Sequence, residues 1–289
     1  MDSPTSTAVT NGLTVDVEDY FQVSAFAPHI ARERWDSMPC RVERNVDRLL
    51  DQFAARQVHG TFFTLGWIAQ RYPALIRRIT DVGHELASHG FSHQRAFEQS
   101  PAEFFEDLTR SKQVLEDIAG VPVLGYRAPS FSIGESNPWA FECLLRAGYR
   151  YSSSVYPVKH DHYGFPDSPR FPYSTASGLL EIPITTTRVW GRNLPAGGGG
   201  YFRLAPYALS RWAIKRVNVM EQKPAVFYTH PWEFDPDQPR VPGISAKTRF
   251  RHYVNIGRTS ARLDRLLVDF RWDRMDRVFA IHGRTDRAN

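Results

Sequence analysis

Stretches with strand-like and helix-like hydrophobic spacing take turns along this chain, and that alternation limits the folds open to it more than any other feature. Residues 13–21 open with a short β-type run, and residues 41–57 carry Val42, Val46, Leu49, Leu50 and Phe53 at helical spacing with charges on the other face. Residues 58–66 read as a turn and a short aromatic strand, and residues 67–82 as an amphipathic segment interrupted at Pro73. The capping box Ser100-Pro101-Ala102-Glu103 opens a helix expected to run to about Ala119 and stop at Gly120. A strand ending near Arg127, a helix over 137–148 and a strand over 149–156 follow. This repetition argues for parallel βα units, in an open doubly wound sheet or a barrel.

No Gly-x-Gly-x-x-Gly follows the first strand and no Walker-type phosphate loop occurs, whereas acids and histidines stand at strand ends. That favours an α/β fold of the barrel kind, with its site at the C-terminal mouth of the strands. A chain of 289 residues, 42% hydrophobic and 23% charged, can bury the core of one large domain, and neither a linker nor an internal repeat interrupts it. The formal charge of +5 and pI near 9.3 suit an anionic or lipid-linked partner but are too weak to argue for nucleic acid. Cys40 and Cys143 lie far apart in no ligand spacing and read as small buried hydrophobes. Residues 1–8 lack a basic segment leading into an apolar one, and no run approaches 18 apolar residues, so the expectation is a cytoplasmic chain without a transmembrane segment.

Further along, residues 157–203 are rich in proline, glycine and aromatics, and Gly197-Gly198-Gly199-Gly200 reads as part of a flexible loop over the site. Residues 180–184 and 225–233 read as strands, the latter ending in His230-Pro231. Residues 247–273 form a basic helical stretch whose Arg249, Arg251, Arg258, Arg262 and Arg265 offer a surface for a phosphate on a carrier-linked substrate.

The chemistry concentrates around Gly83-His84-Glu85-Leu86-Ala87-Ser88-His89-Gly90-Phe91-Ser92-His93. His89 and His93, four residues apart, fall on one face of a helical turn and can reach one metal ion. A catalytic zinc takes a third protein ligand and keeps a position open for water. The acidic cluster Asp16, Glu18 and Asp19 is the best source of that ligand, since three carboxylates this close repel one another unless a cation or donors are present. Seven tryptophans, Trp190 and Trp232 among them, offer stacking surfaces for sugar rings.

Thr14-Val15-Asp16-Val17-Glu18-Asp19, Thr61-Phe62-Phe63, His89-x-x-x-His93, Arg127-Ala128-Pro129 and Thr229-His230-Pro231 occur in the order found in the polysaccharide deacetylase family. Over residues 13–235 the chain thus resembles the NodB-homology domain of carbohydrate esterase family 4. From about residue 199 to the end it is similar to the C-terminal extension of the exopolysaccharide-locus branch, which makes residues 1–289 one domain with the extension packed on it. The resemblance implies a distorted (β/α) barrel that removes acetyl groups from N-acetylhexosamines of a poly- or oligosaccharide, free or lipid-linked, with a divalent metal, zinc foremost and cobalt or nickel as alternatives. Asp16 matches the family's base, Arg127 the residue orienting it, His89 and His93 the metal ligands, and His230 the acid.

Two positions depart from the pattern. The family commonly has adjacent aspartates where Val17 follows Asp16, so the metal carboxylate is Glu18 by strand alternation or Asp19 if a turn starts at Val17. Ser152 stands where related sequences often have an aspartate, which leaves Glu181 or Glu233 to orient His230, or no acid at all. Trp232 and Tyr156 are the candidate substrate contacts, with a backbone N–H near Tyr156 a candidate oxyanion donor. Without a Gly-x-Ser-x-Gly elbow a covalent serine route is disfavoured. A metal-free, allantoinase-like amidohydrolase of the same fold and a non-catalytic sugar-binding protein are the competing readings.

Overall fold

A computed structural model describes residues 9–159 and 164–282; the N-terminal segment 1–8 read above lies outside the described residues. Strand β1 (Thr10–Val17) is buried from Asn11 onward on both faces, as befits a central parallel strand covered on both sides. Helix α1 (Val42–Ala55) leads to β2 (Thr61–Thr64), and α2 (Gly66–Arg71) and α3 (Pro73–Asp81), divided at the proline, lead to β3 (Glu85–Ser88). Helix α4 (Pro101–Ala119) precedes β4 (Gly125–Tyr126), and α5 (Trp139–Arg146) precedes β5 (Tyr151–Ser152). Strands β6 (Tyr173–Ser174) and β7 (Leu180–Glu181) and the hairpin of β8 (Thr186–Val189) and β9 (Arg192–Pro195) follow. Helices α6 (Gly199–Leu204) and α7 (Tyr207–Met220) return the chain to β10 (Val226–Thr229), and α8 (Ala246–Tyr253), α9 (Thr259–Asp269), β11 (Arg271–Asp273) and α10 (Met275–Val278) complete it.

The sheet runs β10-β1-β2-β3-β4-β5-β7-β6, parallel except for β6 against β7, and β11 pairs in parallel with the start of β1. Residues 182–198 bridge its two sides. Ile182 N–H donates to Ser152 O at 2.8 Å and Ile184 N–H to Val155 O at 3.0 Å, while Tyr228 N–H donates to Gly197 O at 2.7 Å. The sheet therefore curls into a distorted (β/α) barrel and is not a flat, doubly wound one.

Local chemistry accounts for the helices. Val42, Val46, Leu49 and Phe53 bury one face of α1 against Leu13, Val15 and Phe62, each large side chain contributing about 1.5–3 kcal/mol. Ser100 and Glu103 close the expected capping box on α4, and Gly120 ends that helix in the left-handed conformation at φ +67°. Phe202, Ile214, Leu263, Leu266 and Trp272 enter the same cluster as Leu13 and Phe62, so the last third of the chain packs into the first core.

Three expected segments differ from what forms. The glycine run is no flexible loop: Gly198, at φ +117°, bridges to Tyr228 so closely that a Cβ would lie 2.1 Å from Tyr228 O, and Gly199 begins α6. The strand over 225–233 stops at Thr229, because Pro231 starts a 3-10 turn. The basic stretch 247–273 is broken at Asn255, which takes φ +55°, and its end becomes β11. Within it Arg262 Nη1 donates to the carbonyls of Phe202, Arg203 and Ala205 at the end of α6, and Arg265 lies over the Tyr207 ring at 4.4 Å. Arg262 is thus engaged in holding the end of α6, whereas Arg265 remains exposed beside Tyr207.

Candidate active site

The C-terminal ends of the parallel strands converge on one mouth. Asp16 projects from the end of β1 with Glu18 just beyond it, and His89 follows β3, Arg127 β4, Ser153 β5 and His230 β10. Together Asp16, Glu18, His89, His93, His230 and Trp232 line a cavity of about 400 Å³.

Arg127 is fully buried and its guanidinium is fixed by four donations. Nη1 reaches Asp16 Oδ1 at 2.6 Å and Thr14 Oγ1 at 2.7 Å, Nε the Ser153 carbonyl at 3.1 Å and Nη2 the Ser153 hydroxyl at 3.0 Å. The Phe63 ring lies 4.1 Å from its central carbon. One charge-assisted bond thereby sets the orientation of Asp16 and leaves its Oδ2 free to face the cavity.

Glu18, His89 and His93 each place a ligand atom within 4.8 Å of the others, and all three are buried. His93 Nε2 approaches Glu18 Oε2 to 2.7 Å, yet that oxygen receives no aligned hydrogen bond. A nitrogen and a carboxylate oxygen held this close in poor hydrogen-bond alignment, with His89 beside them, suit ligands of one cation, so the residues present fit a metal ion. His89 Nδ1 donates to the Arg127 carbonyl at 2.8 Å, which leaves the lone pair on Nε2. Trp232 Nε1 donates to Glu18 Oε1 at 3.1 Å. Burial pushes the Glu18 carboxyl upward, but His93, His230 and His89 outweigh it and hold the group down at about 2. Burial likewise lowers His89 to about 4, against the pull of Asp16.

The histidine pair is not helical. His89 leaves β3, Gly90 turns the chain at φ +77° and His93 itself sits at φ +55°, so a loop brings together what i, i+4 spacing on a helix was expected to. Asp107 on α4 holds that loop, both its carboxylate oxygens accepting the Phe91 N–H at 3.2 Å. Asp19 lies outside the cluster. It accepts from the Tyr20 N–H at 2.8 Å, the Arg41 N–H at 2.5 Å and the Val42 N–H at 2.9 Å, capping α1 from a distance, and burial raises its carboxyl to about 6.

His230 Nε2 stands 3.9 Å from Asp16 Oδ2 and 3.8 Å from Glu18 Oε1, while Nδ1 meets Glu233 Oε2 at 3.2 Å. Burial alone would lower this imidazole; the hydrogen bond and charge of Glu233, then Glu18 and Asp16, raise it to about 9. Glu233 resists burial's upward push because Arg203 lies beside it, and stays well below the usual carboxylate range. Glu181, the other sequence candidate, instead accepts the N–H groups of Ser154 and Val155 at 2.9 and 2.8 Å. Of the two candidate substrate contacts, Trp232 lines the cavity, stacked between His230 and His252 with ring centroids 5.2 and 4.2 Å away. Tyr156 does not: it is wholly buried against Phe131 and Tyr228, away from the cavity wall.

Sequence reasoning missed Arg203, Thr14 and Ser153. Arg203 is buried in α6, its Nε 2.7 Å from Glu233 Oε1 and its other nitrogens donating to the carbonyls of Arg251, His252 and Val254. Thr14 at the head of the first motif and Ser153 beside the missing aspartate at Ser152 carried a signal, and Arg203 carried none.

Residues 34–152 match the family model for polysaccharide deacetylase, and residues 153–280 match a domain of unknown function, DUF3473. A peptidoglycan deacetylase of Helicobacter pylori is 27% identical over 113 residues, 39% of this chain and 38% of the relative. A peptidoglycan-N-acetylglucosamine deacetylase of Bacillus cereus is 29% identical over 96 residues, 33% of this chain and 35% of the relative. The chain thus spans less than two fifths of the length of these relatives. Two crystal structures share the fold. A candidate polysaccharide deacetylase from Mycobacterium smegmatis has TM-score 0.57 and 22% identity over 93% of both chains. The Bc1960 peptidoglycan N-acetylglucosamine deacetylase has TM-score 0.53 and 15% identity, covering 96% of this chain and 90% of that one. The family match and the barrel agree that residues 34–152 carry a polysaccharide deacetylase domain of the NodB-homology, carbohydrate esterase family 4 kind.

Proposed function

We propose that this protein is a metal-dependent hydrolase that removes N-acetyl groups from N-acetylhexosamine residues of a poly- or oligosaccharide. The observation that carries the reading is the convergence, in one cavity, of the Glu18–His89–His93 cluster, the Arg127-bound Asp16 and the Glu233-bound His230. Relatives named as peptidoglycan deacetylases support the class of substrate, and the resemblance of the C-terminal sequence to the exopolysaccharide-locus branch supports a place in exopolysaccharide assembly, on a free or lipid-linked glycan.

Glu18, His89 and His93 would hold the divalent ion, zinc foremost given two imidazoles and one carboxylate. When bound, the ion supplies Lewis acidity, polarising the acetyl carbonyl and lowering the pKa of water towards about 7. Asp16, held by Arg127 with Oδ2 towards the cavity, takes the proton of the attacking water. His230 donates a proton to the departing sugar amine, and Glu233 fixes its ring through Nδ1 so that Nε2 faces the reacting centre. The orphaned Glu18 oxygen beside His93 favours this reading over a metal-free amidohydrolase.

The test is acetate release from N-acetylglucosamine oligomers by purified protein, with Asp16→Asn beside it. Turnover by the wild type and its loss in the variant is the expected result. Acetate released equally by both would refute the proposed role of Asp16, and none from any N-acetylated glycan would leave the sugar-binding reading.

A further inference from the structure

A second groove, of about 350 Å³, runs between α6 and α8 and shares Val23, Ala25, Trp232 and Thr248 with the wall of the catalytic cavity. It leads away from His230 to Tyr201, Leu204, Phe250 and Arg251. Phe250 and Tyr201 are 58% and 37% exposed, large aromatic surface that no core requires. Among the described residues no carboxylate pairs with the Arg251 side chain, which lies exposed at the groove. Every groove-lining residue from 200 onward except Trp232 belongs to α6, α8 or the residue after it.

We propose that this groove is an outer subsite that binds glycan residues two or more sugars away from the one being deacetylated, and that it makes residues 199–254 a determinant of chain length. The inference rests on the proposed N-deacetylase reading. Continuity with the catalytic cavity selects the occupant, because a glycan whose acetylated residue lies against His230 must extend along one of the openings, and this one is walled by aromatics. The C–H face of a pyranose ring stacks on Phe250 and Tyr201, while Arg251 donates to a ring hydroxyl or an acidic substituent. Trp232, the shared wall, is clamped by His252 and by the Arg203 guanidinium 5.1 Å from its ring, so the two sites meet on a rigid partition.

The experiment compares wild type, Phe250→Ala and, as a surface control, Leu209→Ala, which alters an exposed position on α7. Acetate release and calorimetric binding are measured with N-acetylglucosamine dimer and tetramer. Phe250→Ala is expected to raise KM and Kd for the tetramer about tenfold and to leave the dimer nearly unchanged, with Leu209→Ala like wild type. Equal effects on dimer and tetramer, or none, overturn the subsite. If the wild type releases no acetate, the N-deacetylase reading fails and binding alone decides: selective loss of tetramer affinity still supports the subsite, and undiminished or undetectable tetramer binding overturns it. Competition by a short polyisoprenyl phosphate for a groove the tetramer does not enter assigns the groove to a lipid and likewise overturns it.

Discussion

Arg203 and Glu233 form an ion pair 2.7 Å apart with only 3% and 1% of their side chains exposed, and through it the last third of the chain holds the carboxylate that orients His230. The pair is buried beneath Trp232, and Arg203 is further tied to three carbonyls following and within α8. A buried charge is tolerated only when its partner and donors are complete, so α6 and the β10 strand end form one electrostatic unit.

Arg203→Met therefore leaves Glu233 buried without its guanidinium partner, held only by His230 and the Thr229 hydroxyl. It is expected to cost about 3–5 kcal/mol of folding stability, read by urea denaturation, and to lower kcat in whatever fraction stays folded. Arg203→Lys restores the charge without the fork of donors and should recover stability in part.

Glu18 and Asp19 separate by metal content. Glu18→Gln is expected to lose bound metal, measured by elemental analysis, with its fold retained. Asp19→Ala removes the acceptor for three N–H groups, and is expected to keep the metal while losing about 1–3 kcal/mol of stability.

Asp16→Asn removes the proposed base without touching the Glu18–His89–His93 cluster. A loss of about 10²- to 10⁴-fold in kcat with metal content unchanged is the expected outcome, measured by acetate release and elemental analysis on one preparation.

Glu181 gives a pH dependence remote from the proposed metal ligands. Burial raises its carboxyl from 4.5 to about 7, against the hydrogen bonds from Ser152, Val155 and Ser154. The folded state thus holds the proton more tightly than the unfolded one. The stability it contributes is complete below about pH 4.5 and is lost as pH rises to about 7, a fall on the order of 3 kcal/mol. Glu181→Gln is expected to remove this part of the decline, read as the difference between the two proteins' urea midpoints across that range.

Much of the barrel was legible because its signals are local. The spacing in α1, the capping box at Ser100, the proline dividing α2 from α3 and the strand before His230 need no knowledge of distant residues. The site was legible as a set of residues in order, through Asp16, His89, His93, Arg127 and His230. What sequence could not resolve is tertiary. Strand alternation and a turn gave opposite answers for Glu18 and Asp19, and the answer depended on Arg41 and Val42 offering Asp19 their N–H groups from more than twenty residues away. The His89–His93 spacing suits a helix, but Gly90 and the left-handed His93 make a loop of it. Glu181 and Glu233 look alike in sequence, and only the strand ends decide which of them meets His230. Arg203 follows a glycine run that reads as a flexible loop, and its role appears only when α6 packs against α8.

The most direct test of the account is acetate release from N-acetylglucosamine oligomers by protein as purified, after chelation to proven metal removal, and after zinc or cobalt is restored. The Glu18–His89–His93 cluster predicts that activity disappears with the metal and returns with it. Unchanged activity in metal-free protein would contradict the account and favour metal-free hydrolysis by Asp16 and His230.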